Sequence, residues 1–243
     1  MAYARHLSLA TLDFLIGDPG KLDREDAMLA LCAAMTSDGH VKESTNIFTF
    51  VLGLGIDPNK VRMVIEQAQL FCGFPRMLNA LFALREAAEK AEVSLDGGEI
   101  HKLATTSESD LSDQGRELWN KVYGENAERV LEKTQAASAE AARWSLAHAY
   151  GRVMGRDGLG ELQRELCVVA GLIPMDVQPQ LKGHVMGAVN LGASKTQMWD
   201  LLSLVRKLFD ADKLLDQTQK TFESAIGKKP GGLDIEEERK YTW

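Results

Sequence analysis

From Leu159 onward, apolar residues recur at Leu162, Leu166, Val169 and Leu172 or Ile173. This is the spacing of one helical face. Pro174 and Pro179 then bracket a short polar break, since proline in a helix interior removes a hydrogen bond. A second helix is expected from about Pro179, where a first-turn proline is tolerated, to Gly192, a left-handed stop. Glu165 falls on the first helix and His184 on the second. So short a link favours antiparallel packing, which lets the two polar side chains face each other.

The same punctuation runs through the first half of the chain. Asp23 caps a helix expected from Arg24 to about Met35, with Ala27, Leu31 and Ala34 on one face. Ser37-Asp38-Gly39 breaks it, and a helix follows from about Lys42 to Leu54, stopped by Gly55. Asp57-Pro58 starts the next, with Val61, Val64, Ile65, Ala68 and Phe71 as its apolar stripe. Gly73 ends that helix and Pro75 opens another to about Glu92. The pattern predicts an all-α protein.

An offset of 137 residues superposes the two halves: Gly55 falls on Gly192, and Asp57 on Ser194, which has Gln197 at the capping-box position. Val61, Val64, Ile65, Ala68 and Phe71 fall on Met198, Leu201, Leu202, Val205 and Leu208. Stops, caps and core positions agree without a gap, which predicts a duplicated unit. The copies differ chemically, because His184 corresponds to Ile47 and Glu165 to Met28. Ser94 to Gly115 is polar and weakly periodic, and reads as a surface connection with room for one short helix. The C-terminal GKKPGGLDIEEERKYTW reads as a charged tail, mobile unless a partner subunit binds Tyr241 or Trp243.

Composition narrows the function classes. The net charge is −7, against the basic face that nucleic-acid binding requires. No run of about 18 apolar residues is present, so no membrane span is expected. LSLATLDFLIG reads as a helix rather than a signal peptide, because Asp13 interrupts it and no small-residue cleavage pattern follows. Cys32, Cys72 and Cys167 are too scattered for a disulfide framework or a metal-ligand spacing, and a reduced cytoplasmic setting is expected. His40 follows Asp38-Gly39 and reads as a loop residue, while His101 and His148 lack ligand-spaced neighbours, so no metal or cofactor is assigned. MGRDGLG follows no strand, and a nucleotide cradle is rejected.

RELCVVAGL followed by QLKGHVMGAVNLGAS resembles the carboxymuconolactone decarboxylase family. GRELWNKVYGENAERVL, YGRVMGRDGL and LFCGFPRMLNAL extend the resemblance over most of the chain. It implies a helical unit present twice: a first repeat over 1–93, a connection over 94–113, a second repeat over 114–226 and the tail over 227–243. The family's alkyl hydroperoxidase D branch places a Glu 19 positions before a His, as Glu165 and His184 stand here. Its two cysteines fall on Val177 and Gln180 in this chain, so the proton-relay pair is kept and the redox pair is absent.

The resemblance therefore implies a cofactor-independent lyase acting on a small carboxylated lactone or related cyclic acid. His184 would be the proton donor or shuttle and Glu165 its partner. Arg164 is the candidate for holding a substrate carboxylate, although neighbours on a helix do not share a face. The bland reading makes His184 a core histidine and Glu165 a solvated helix residue. Two other classes stay open: a thiol-dependent peroxidase using Cys72 or Cys167, and a non-catalytic small-molecule-binding or assembly protein. Two-copy relatives imply a homotrimer, with a hexamer as the alternative.

Overall fold

A computed structural model of the chain describes Leu12 and residues 17–229. Tyr241 and Trp243, and all of the expected N-terminal helix except Leu12 and Gly17, lie outside the described residues. The architecture is all-α, with no strand among the described residues. The chain runs α1 (Arg24–Asp38), α2 (Val41–Gly53), α3 (Pro58–Lys90), α4 (Glu108–Tyr123), α5 (Ala127–Ala137) and α6 (Ala139–Trp144). A π-helical stretch, Ser145–Met154, continues α6 and is followed by α7 (Glu161–Leu172), α8 (Gln178–Asn190), α9 (Lys195–Arg206) and α10 (Asp212–Ile226). No helix among the described residues is long and apolar enough to cross a membrane.

The ends of these helices follow local chemistry. The side chains of Asp23, Asp57 and Ser194 accept hydrogen bonds from the first-turn backbone of α1, α3 and α9, and Ser194 with Gln197 completes a capping box. Gly39 closes α1 in the left-handed region at φ 87°, three residues beyond the expected end, because Thr36, Ser37 and Asp38 stay helical and buried. The Gly73–Pro75 junction separates two helical runs, as expected: Gly73 leaves helical geometry at φ 77° and ψ 167°, so α3 is two runs meeting at a kink. Proline is tolerated just beyond it, in the first turn of the second run, where its missing N–H would have no partner.

α1 lies at the centre and is buried almost all round from Ala27 to Asp38. The single apolar face expected for it is too narrow a description, since neighbours cover every side. α7 lies along α1 and is itself buried from Arg164 to Leu172. Between them Gln163 Nε2 donates to Asp26 Oδ1. Helix starts at Arg24, Val41 and Pro58 recur at Glu161, Gln178 and Lys195, and the hydrogen-bonded Asp26 and Gln163 are also 137 positions apart.

α4 and the π-helical stretch pack backbone to backbone. A Cβ on Gly115 would stand 2.0 Å from the Leu146 carbonyl oxygen, and one on Gly151 would stand 2.1 Å from the Leu111 carbonyl oxygen. Only glycine permits that approach. α4 starts at Glu108, capped by Ser107, so a helix crosses the boundary expected at 113.

Candidate functional site

α7 and α8 lie side by side, joined by a link in which Asp176 adopts φ 54°, a left-handed conformation that Asp tolerates better than most residues. Their packing brings Glu165 and His184 together: Nδ1 of His184 is 2.6 Å from Oε1 of Glu165. Glu165 is fully buried and His184 nearly so, at 6% exposure. Gly187 makes the approach possible, because a Cβ there would meet Glu165 Oε1 and Val122 Cγ1, both at 2.7 Å. An ionised Glu165 can only accept, and in that state the proton between the two sits on Nδ1. Nε2 then has no hydrogen-bond partner among the described residues, and His184 lines a cavity. Oε2 of Glu165 is buried and unpartnered.

That cavity holds about 890 Å³, within the range of small-molecule sites. Its floor is aromatic. Phe71 meets the His184 ring edge-on at a centroid distance of 5.7 Å, and Tyr123 lies 6.2 Å from it. Trp119 packs on Tyr123 at 4.3 Å and on Tyr150 at 5.0 Å, with its indole N–H donated to the Ala127 carbonyl. Burial pushes the Tyr123 phenol above its usual range. Burial, then the nearby Tyr123 and Glu165, push Tyr150 further up. Both therefore remain protonated donors at neutral pH. The Tyr150 hydroxyl is buried and meets no described group in hydrogen-bond geometry.

These aromatic side chains were not among the expected site residues. Tyr123 and Trp119 stand four apart on α4, a spacing that places them on one face, and Gly183 and Gly187 flank His184 at the same spacing. Those are the signals the sequence offered. Phe71 was expected only as part of an apolar stripe; it arrives from the first half of the chain, two residues before the bend at Gly73.

Arg164 does not reach this cavity. Its guanidinium donates to Gln67 Oε1 at 2.9 Å and to the Arg156 carbonyl at 2.7 Å, while Gln67 Nε2 returns a bond to the Arg164 carbonyl. The helical turn of about 100° between neighbours sends Arg164 away from the face Glu165 uses. Burial lowers its pKa to about 10. The expected carboxylate-holding role is thus replaced by an internal bracket between α3 and α7. Neither Cys72 nor Cys167 lines the cavity, and burial raises both thiols. His40 is at the N-cap of α2 rather than in an open loop, with Nδ1 2.8 Å from Asp38 Oδ2.

No protein-family model matches the chain. It is 33% identical to Peroxisomal protein 2 of Schizosaccharomyces pombe over 57% of this chain and 63% of that protein. It is 29% identical to Peroxisomal protein 2 of Saccharomyces cerevisiae over 56% of each. The chain thus spans about three fifths of the length of the curated relatives it matches. Neither is named as a decarboxylase or lyase, and this overturns the expectation of a lyase acting on carboxylated lactones.

Proposed function

We propose that this chain is a peroxisomal protein whose cavity is an acid–base site, with His184 exchanging a proton with a bound small molecule and Glu165 positioning the ring. The observation that carries this reading is the buried 2.6 Å contact between His184 Nδ1 and Glu165 Oε1, which leaves Nε2 as the working nitrogen. A histidine with one nitrogen fixed and the other facing a cavity is equipped for general acid–base catalysis. The test is deuterium exchange from solvent into enolisable carbonyl compounds. His184→Gln should lower the exchange rate by about 10²- to 10⁴-fold. Wild-type protein that exchanges no member of the panel would remove the reading.

Both relatives are named as peroxisomal proteins, which supports this compartment for the chain over the cytoplasm expected from its cysteines. Immunofluorescence of the untagged chain should coincide with a peroxisomal marker; a diffuse cytosolic signal would reject it.

The scaffold belongs, in this reading, to the carboxymuconolactone decarboxylase type in duplicate. Support comes from helix starts that repeat 137 residues apart and from the hydrogen bond between the matching positions Asp26 and Gln163, since equivalent residues meet where a twofold axis passes. Assembly as a homotrimer is part of the proposal. Phe74, Leu78 and Phe82 form an exposed apolar row on α3 at 61%, 44% and 68% exposure, a face that association would cover. Light scattering should give three times the 26.8 kDa chain, and Phe82→Glu should dissociate it; a wild-type monomer would refute the trimer.

A further inference from the structure

The mouth of the His184 cavity differs from its floor. The buried or half-buried residues beneath are Trp119, Val122, Tyr123, Tyr150, Met154 and Phe71. Arg129 and Lys133 are exposed at the rim, and Lys182 is half-buried there. Arg129 and Lys133 are four apart on α5 and therefore share a face. No Asp or Glu is among the residues lining the cavity, in a chain whose acids outnumber its bases by 35 to 28.

None of the three cations is committed to a carboxylate among the described residues. Arg129 donates to Asn126 Oδ1 at 2.6 Å, and Lys182 Nζ to Ser224 Oγ at 2.7 Å, both neutral acceptors. Lys133 has no hydrogen bond or ion pair with a described residue. Elsewhere Lys60, Lys102, Lys121 and Arg156 each meet a carboxylate at 2.6–2.7 Å. A cationic rim with no carboxylate in ion-pair contact among the described residues, above an aromatic floor, attracts molecules that are apolar at one end and negatively charged at the other.

We propose that the cavity binds an amphipathic anion, its apolar body on the Phe71–Trp119–Tyr150 floor and its carboxylate or phosphate held at the mouth by Arg129, Lys133 and Lys182. This deepens the acid–base reading by naming the ligand class of the same cavity. The anionic group fixes which end enters, so the carbon next to the buried end is the one presented to His184 Nε2.

The test is isothermal titration of the full chain with four probes sharing one body: phenylpropanoate, phenylpropyl phosphate, phenylpropanol and phenylpropylammonium. At least one anion should bind about tenfold or more tightly than the alcohol, and the ammonium should bind weakest. Preference for phenylpropanoate assigns a carboxylate ligand, and preference for phenylpropyl phosphate a phosphate ester. Arg129→Gln with Lys133→Gln, both at exposed positions, should remove the anion preference while leaving alcohol binding and thermal stability unchanged. Equal binding of alcohol and anions, an anion preference that survives the double substitution, or no binding by any probe would each overturn the proposal. The two readings fail separately: wild-type protein that binds the anion but exchanges no proton leaves the ligand class standing and removes the acid–base role.

Discussion

At the scale of single residues, the site depends on one absent side chain as much as on two present ones. Gly187 allows α8 to approach α7 closely enough for Glu165 to reach His184. Gly187→Ala should cost about 1–3 kcal/mol of stability, the usual range for overpacking a filled interior. Denaturant unfolding reads that cost, and the His184 ring resonances should shift because Glu165 is displaced. Arg164 makes the opposite case. Arg164→Met should lower stability by about 2–4 kcal/mol, since it orphans buried acceptors on Gln67 and the Arg156 carbonyl. Ligand affinity in the folded variant should stay at the wild-type value, because Arg164 is outside the cavity. A variant that folds normally but loses anion binding would restore it as a ligand-holding residue. The contact between Glu165 and His184 was legible in the sequence because a short link joins the two helices that carry them and so favours antiparallel packing. The aromatic floor was not, since Phe71, Trp119 and Tyr150 look like ordinary core residues until three separate helices converge.

At the scale of elements, caps predicted the starts of α1, α3 and α9, because N-caps act through local backbone geometry that sequence displays directly. The break at Gly73 was legible as well, because a glycine followed two residues on by proline interrupts a helix through local geometry alone. The starts of α5, α6 and α10 escaped. The π-helical stretch Ser145–Met154 has no sequence signature; Gly151 within it and Gly115 on α4 let the two backbones approach closely. Gly151→Ala should destabilise the fold by about 3 kcal/mol or more, because the new methyl meets a carbonyl rather than a movable side chain. Circular dichroism melts would measure it. Ser194→Ala should cost only about 1 kcal/mol, the usual value of one lost cap.

For the whole molecule, all-helical architecture was readable from periodicity, whereas location and chemistry were not. Caps and core stripes report how a chain packs, and many different activities share such scaffolds. The thiols give a global reading of integrity. Burial raises Cys32 and Cys167, with each fully enclosed between α1 and α7, while Cys72 is partly exposed. Iodoacetamide at neutral pH should modify Cys72 in the folded protein and reach the other two only at the rate of unfolding. Rapid labelling of Cys167 in native protein would show that the α1–α7 centre opens locally.

The π-helical stretch has one more consequence. Ser145, Ala149, Tyr150 and Met154 face the His184 cavity, while Ala147, His148, Arg152 and Val153 line hollows on the opposite side. The stretch is a partition between that cavity and the hollows beyond it. Whatever settles against Tyr150 presses on a wall whose far surface carries an imidazole. His148 is thereby a built-in listening post: its ring resonance should move when the other chamber fills, with no ligand ever touching it.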